Sequence, residues 1–142
     1  MTDTLADMEA IRQLKARYCQ LMDQGRWSEW GALYLPDAEL APPVEGMETL
    51  VGGAAIARFA EQSLQGIKTS HLAGNPQIEL TGPTSARATW TVQFAQGGGR
   101  LRGFGFYEDE YEKRDGRWLI RSVHLVTSWA EGPAVPPQWP TE

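Results

Sequence analysis

Cysteine is almost absent from this sequence: Cys19 stands alone. A single thiol excludes an internal disulfide and a cysteine-built zinc site. Histidine is nearly as scarce. His71 and His124 are the two in the chain, far apart and in neither HxH nor HxxxH spacing, which argues against a bound metal. No apolar run approaches the ~20 residues that a membrane span needs. The formal net charge is −5 and no basic block occurs, so nucleic acid is not an expected partner. The triple glycine Gly97-Gly98-Gly99 is not a phosphate loop, because no helical pattern follows it. The opening MTDTLADMEA is acidic and has no signal-peptide pattern, so a cytoplasmic location is expected. There is no internal repeat and no linker.

What is present is organised around Ile11 to Gly25. Ile11, Leu14, Tyr18, Leu21 and Met22 fall at helical spacing and make one apolar stripe. The first helix is expected from about Thr4 to Gln24, with Gly25 as its stop signal. Asp23 is anomalous there, because a carboxylate in the last turn faces the negative end of the helix dipole. A second short helix is expected in SEWGALYL, with Ser28 as N-cap and Pro36 ending it. Asp37 to Ala41 reads as a short strand stopped by Pro42 and Pro43, and Met47 to Val51 as another. AAIARFAEQSL is a third helix, with Ile56, Phe59, Ala60 and Leu64 inward.

From Lys68 the pattern changes to strands. KTSHLA is followed by a break at Gly74-Asn75-Pro76, then by QIELT. Ser85 to Ala95 alternates, with Ala86, Ala88, Trp90, Val92 and Phe94 on one face. Leu101 to Arg114 is a long strand with Gly103 and Gly105 permitting a bend, and Asp115-Gly116 is a two-residue hairpin signal. Plain alternation in Arg117 to Ala130 places Trp118, Ile120, Ser122, His124 and Val126 on one face, and Leu119, Arg121, Val123, Leu125 and Thr127 on the other. Helices followed by antiparallel strands form the α+β pattern. The length suits one domain over 1–142, with an extended proline-rich tail from Glu131 in which Trp139 needs a place to bury. Six tryptophans supply flat apolar area for a core or an aromatic-lined cavity.

RYCQLMDQGRWSEWGALYLPDAEL, HLAGNPQIEL and YEKRDGRWLIRSVHL together resemble the SnoaL-like branch of the NTF2-like superfamily over nearly the whole chain. The resemblance implies a conical α+β barrel whose curved sheet and helices enclose a deep, mostly apolar pocket. Its members include ketosteroid isomerases and polyketide cyclases. Scytalone dehydratase, the bile-acid 7α-dehydratase and a hexachlorocyclohexane dehydrochlorinase are the most similar in pattern. These three eliminating enzymes use an aspartate at the end of the first helix and a histidine on a following strand. Asp23 and His71 match that pair in kind and place, and Tyr18 matches a tyrosine five residues before the aspartate. Two departures stand out. No carboxylate occurs around Trp90 to Phe94, where the bile-acid enzyme uses one. Arg121 shares a face with Leu119 and Val123, which leaves His124 as the expected inward polar residue on the last strand.

Spacing alone favours a backbone-bonded strand histidine and an unrelated surface aspartate; the resemblance turns the pair toward a base and its orienting acid. Tyr18 is either a core tyrosine or a donor to a substrate oxygen, and ideal helical rotation puts it about 140° from Asp23. Tyr34 and His124 are open between packing and pocket. Trp27, Trp30, Trp90 and Phe94 are ordinary packing or pocket lining. The resulting expectation is a cofactor-independent, metal-free lyase of the dehydratase type, acting on an apolar ring-containing molecule and assembled as a dimer or trimer. An isomerase or cyclase using an aspartate base, and a non-catalytic binding module, are the alternatives.

Overall fold

The structure is a computed structural model that describes residues 3–40, 46 and 48–132. The elements run α1 (Thr4–Asp23), α2 (Trp27–Gly31), β1 (Glu39–Leu40), β2 (Leu50–Val51), α3 (Gly53–Leu64), β3 (Thr69–Gly82), β4 (Ser85–Gln96), β5 (Leu101–Arg114) and β6 (Arg117–Glu131). The Asp3 carboxylate caps α1 by accepting the Ala6 N–H at 3.1 Å. At the other end Gly25 adopts φ +70, which lets the Gly25 and Arg26 N–H groups close on the Met22 and Leu21 carbonyls. Asp23 is thereby the last helical residue. α2 starts two residues earlier than the capping pattern suggests. Arg26 is in the N-cap position without a side-chain bond, and Ser28 lies inside the helix. α2 packs on α3 through Gly31 and Gly53; a Cβ at Gly53 would meet the Gly31 carbonyl oxygen at 2.0 Å.

The sheet order is β3-β4-β5-β6, all antiparallel. The expected break at Gly74-Asn75-Pro76 is a register shift within one continuous strand, with Asn75 at φ 52. Asp115 and Gly116 both have positive φ, 50 and 76, as a two-residue hairpin turn requires. The inner face carries Ala86, Ala88, Trp90, Val92, Tyr107 and Tyr111, all buried against the α1 stripe of Ile11, Leu14, Tyr18 and Met22. Each large apolar side chain removed from water this way contributes about 1.5–3 kcal/mol. Leu35 N–H to Ile120 O, at 2.9 Å, and Ile120 N–H to Leu33 O, at 2.8 Å, stitch the segment after α2 to β6.

Two irregularities in β6 decide what faces inward. Tyr111 pairs with Ile120 but Glu110 pairs with Ser122, so Arg121 is an extra residue. Its guanidinium joins Glu112 and Asp37 in a surface ion-pair network. Beyond it the faces exchange. Val123, Leu125 and Thr127 follow the inner register of Asp109, Tyr107 and Gly105, while His124 and Val126 oppose Glu108 and Phe106 on the outer face. The plain alternation expected for this strand therefore fails after Ile120. A second extra residue, Ser128, lies between the Gly105–Thr127 and Phe104–Trp129 pairs. The Pro42–Pro43 stop, the Met47 strand start and Trp139 in the proline-rich tail lie outside the described residues. No helix among the described residues is long and apolar enough to cross a membrane.

Candidate active site

Asp23 leaves the end of α1 facing the start of β3. Its Oδ1 is 2.7 Å from Nδ1 of His71 and accepts the Thr69 hydroxyl at 2.8 Å; its Oδ2 accepts the backbone N–H of His71 at 2.8 Å. These donors offset the unfavourable helix end. Burial alone would push the Asp23 carboxyl up. The hydrogen bonds from the His71 ring, the His71 backbone and Thr69, with the attraction of His71, together hold it below its ordinary value. An ionised carboxylate only accepts, so His71 must carry its proton on Nδ1, leaving Nε2 as the basic nitrogen. The His71 side chain is 9% exposed and that of Asp23 23%, so the carboxylate is the wetter partner. Asp23, Thr69, Trp27, Glu61 and Lys68 border a crevice of about 400 Å³ between the ends of α1 and α3.

His71 opposes Phe94 across the β3–β4 ladder, and the two rings lie 6.5 Å apart at 25°. Phe94 in turn opposes Gly103, where a Cβ would come within 2.6 Å of Phe94 Cζ. The glycine leaves room for the ring. Across from Gly103 on β6 is Ala130, and further along the same face Tyr107 opposes Leu125, which is 42% exposed although Tyr107 is buried.

Deeper in lie all four tyrosines of the chain. Tyr18 packs on Trp30 at 5.4 Å, Tyr107 at 5.6 Å and Tyr34 at 6.5 Å between ring centroids. Burial, then the neighbouring Tyr107, Asp109 and Cys19, push the Tyr18 hydroxyl well above its ordinary value, against a smaller opposing bond from Tyr34. Tyr18 therefore remains a protonated donor at neutral pH. The Trp30 indole N–H is buried and has no acceptor among the described residues. Trp27 meets Trp30 edge-on at 5.6 Å. Trp90 faces inward four residues along β4 from Phe94, and its indole N–H donates to the Tyr111 hydroxyl at 3.1 Å. His124 is corrected: the extra residue Arg121 turns it to the exposed outer face, so it does not supply the inward polar group.

The sequence reading overlooked Thr69 and a buried ion pair. Lys15 Nζ is 2.8 Å from Asp109 Oδ2, with both side chains at most 1% exposed, and the ammonium lies 3.7 Å and 4.0 Å from the ring centroids of Tyr107 and Tyr18. The signal for Lys15 was present, since it falls on the apolar stripe one residue after Leu14 and three before Tyr18. Thr69 shares a strand face with His71 by simple alternation. No group of metal-ligating side chains occurs among the described residues.

A model of the SnoaL-like domain matches residues 3–124. Among solved structures, the chain is similar to a protein provisionally named a scytalone dehydratase, from Novosphingobium aromaticivorans, with 24% identity, a TM-score of 0.79 and coverage of 94% of this chain and 91% of that one. It is also similar to a hexachlorocyclohexane dehydrochlorinase from Novosphingobium barchaimii, at 20% identity, TM-score 0.78 and 92% of each chain. ActVI-ORFA of Streptomyces coelicolor matches at 18% identity and TM-score 0.69, over 85% of this chain and 97% of that one. At these identities the likeness establishes the cone-shaped α+β fold.

Proposed function

The chain belongs to the SnoaL-like domain family, and from that premise we propose that it is a cofactor-independent lyase of the dehydratase type, with His71 as its base. The observation that carries the reading is the 2.7 Å contact between His71 Nδ1 and Asp23 Oδ1, which leaves Nε2 free to take a proton. Asp23 fixes the ring and stabilises the imidazolium as it forms. The substrate proton would be one made acidic by a neighbouring carbonyl or ring. Tyr18, kept protonated by burial, would donate to the oxygen on which charge develops or which leaves. Phe94 and the tyrosine–tryptophan cluster suit an apolar, ring-containing substrate. Two of the similar structures bear the names of enzymes that expel a small group, water or hydrogen chloride, and this supports elimination as the reaction class.

An isomerase or cyclase with Asp23 as base is the competing reading. Three hydrogen bonds on one carboxylate lower its proton affinity and favour His71. The test is the pH profile of His71→Ala against the native protein on a panel of cyclic β-hydroxycarbonyl compounds, followed by absorbance of the conjugated product. The expected result is a fall in kcat/KM of at least ~10²-fold. A fully active His71→Ala protein would end the proposal.

A further inference from the structure

Asp23 and His71 are two bases 2.7 Å apart, and only one of them can keep a proton taken from a substrate. Thr69 bears on which. Its hydroxyl donates to Asp23 Oδ1, the oxygen that also accepts the His71 ring N–H, while the His71 backbone N–H occupies Oδ2. Both carboxylate oxygens are therefore held by donors. Three of the four lone-pair sites are thus taken, and each of these bonds favours the ionised form over a protonated Asp23.

We propose that Thr69 is a positioning residue that keeps Asp23 ionised and in plane with His71, so that the abstracted proton stays on the imidazole. This rests on the reading of His71 and Asp23 as a working pair. The other charged or titratable groups around them do not perform this task. Cys19, on α1, is pushed up to about 11 by burial and is neutral at physiological pH. Lys68 and Glu61, at the start of β3 and on α3, border the crevice without bonding to Asp23. β4 presents the apolar Phe94. Among the described residues, the hydrogen bonds to the Asp23 carboxylate come from Thr69 and His71 alone.

The test needs no substrate. Thr69→Val keeps the side-chain shape and suits a strand, but removes the donor. The Asp23 carboxyl is followed by carbon NMR as the pH is lowered, and the His71 tautomer by long-range proton–nitrogen correlation. His124, exposed on the outer face, is the internal reference, and its ring signals should be the same in every variant. In Thr69→Val the Asp23 midpoint should rise by about one pH unit, the share of one hydrogen bond to a charged group. His71 should lose its uniform Nδ1–H signature. Thr69→Ser should restore both readings. An unmoved Asp23 midpoint in Thr69→Val, or a Thr69→Ser protein that behaves like Thr69→Val, would overturn the role of Thr69 while leaving the pair intact. A native protein whose His71 carries its proton on Nε2 would overturn the pair itself, and the role of Thr69 with it.

Discussion

Replacing Asp23 by asparagine tests the site most sharply, because the change in shape is small and the change in bonding can be counted. Asp23 accepts three hydrogen bonds, two on Oδ1 and one on Oδ2. A carboxamide has one accepting oxygen. If that oxygen takes the place of Oδ1, the new NH2 points at the His71 backbone N–H, donor against donor. If it takes the place of Oδ2, the NH2 faces Nδ1 of His71, which must give up its proton and become the acceptor. The proton then moves to Nε2, and the base is occupied. The second arrangement avoids the donor–donor clash and is the one expected, and it removes general-base assistance worth ~10²–10⁴ in rate, or about 2.7–5.4 kcal/mol of barrier. The loss should fall on kcat, with KM little changed, because the substrate need not touch Asp23 in its ground state. Combined with His71→Ala, Asp23→Asn should cost little more than either change alone. The assay is the rate of product absorbance from pH 5 to 9 on any substrate that the native protein turns over. The substitution also has a stability signature. The Asp23 carboxyl is held below its ordinary value in the folded chain, so its bonds stabilise the fold above the unfolded carboxylate range near ~3.9 and stop doing so as pH falls through the lower folded value. That acid-side slope should shrink in Asp23→Asn. Near-additive losses in the double variant, or a rate rising only through the carboxylate range, would refute the reasoning and hand the base to Asp23.

Lys15→Met should cost about 3–5 kcal/mol in urea unfolding, because it leaves the Asp109 carboxylate buried without its cation. Adding Asp109→Asn should recover most of that loss, and failure to recover it would show that the ion pair is not the cause. The outer sheet face exposes Leu72, Phe104, Phe106, Val126 and Trp129, and the last strand pair stacks Phe104 on Trp129 at 5.4 Å. A homo-oligomer built on that face should give the mass of two or three chains by light scattering at micromolar concentration, and Phe106→Glu should shift it to one. A native monomer would refute this.

The helices and the hairpins were legible because they rest on local rules. The α1 stripe, the Gly25 stop and the Asp115-Gly116 turn each follow from residue type and spacing. Asp23 and His71 could be picked out only through a family pattern, because a pair 48 residues apart has no local signature. The inward face of β6 was not legible. Period-two alternation holds only while the register holds, and one unpaired residue at Arg121 reverses the assignments from Ser122 to Thr127, until Ser128 shifts the register again. Lys15 was passed over because a lysine normally reads as solvated surface; here Asp109 and two tyrosine rings replace the water. Thr69 was missed because a threonine in a strand is unremarkable until the carboxylate opposite it is known.

The extra residue in β6 makes chain length, as well as residue identity, a heritable variable for the inner face of the sheet. Loss of Arg121 would make the ladder regular as far as Thr127 and leave Val123, Leu125 and Thr127 facing inward. Loss of Ser122 with the bulge kept would do the opposite, turning His124 and Val126 inward and Leu125 outward. A single codon-length deletion would then exchange an aliphatic wall for one carrying an imidazole, a change that would otherwise need several independent substitutions. Divergence among chains of this architecture can therefore proceed by insertion and deletion along the last strand, and a one-residue deletion scan through 122–128 would sample linings that point-mutant libraries reach only in combination.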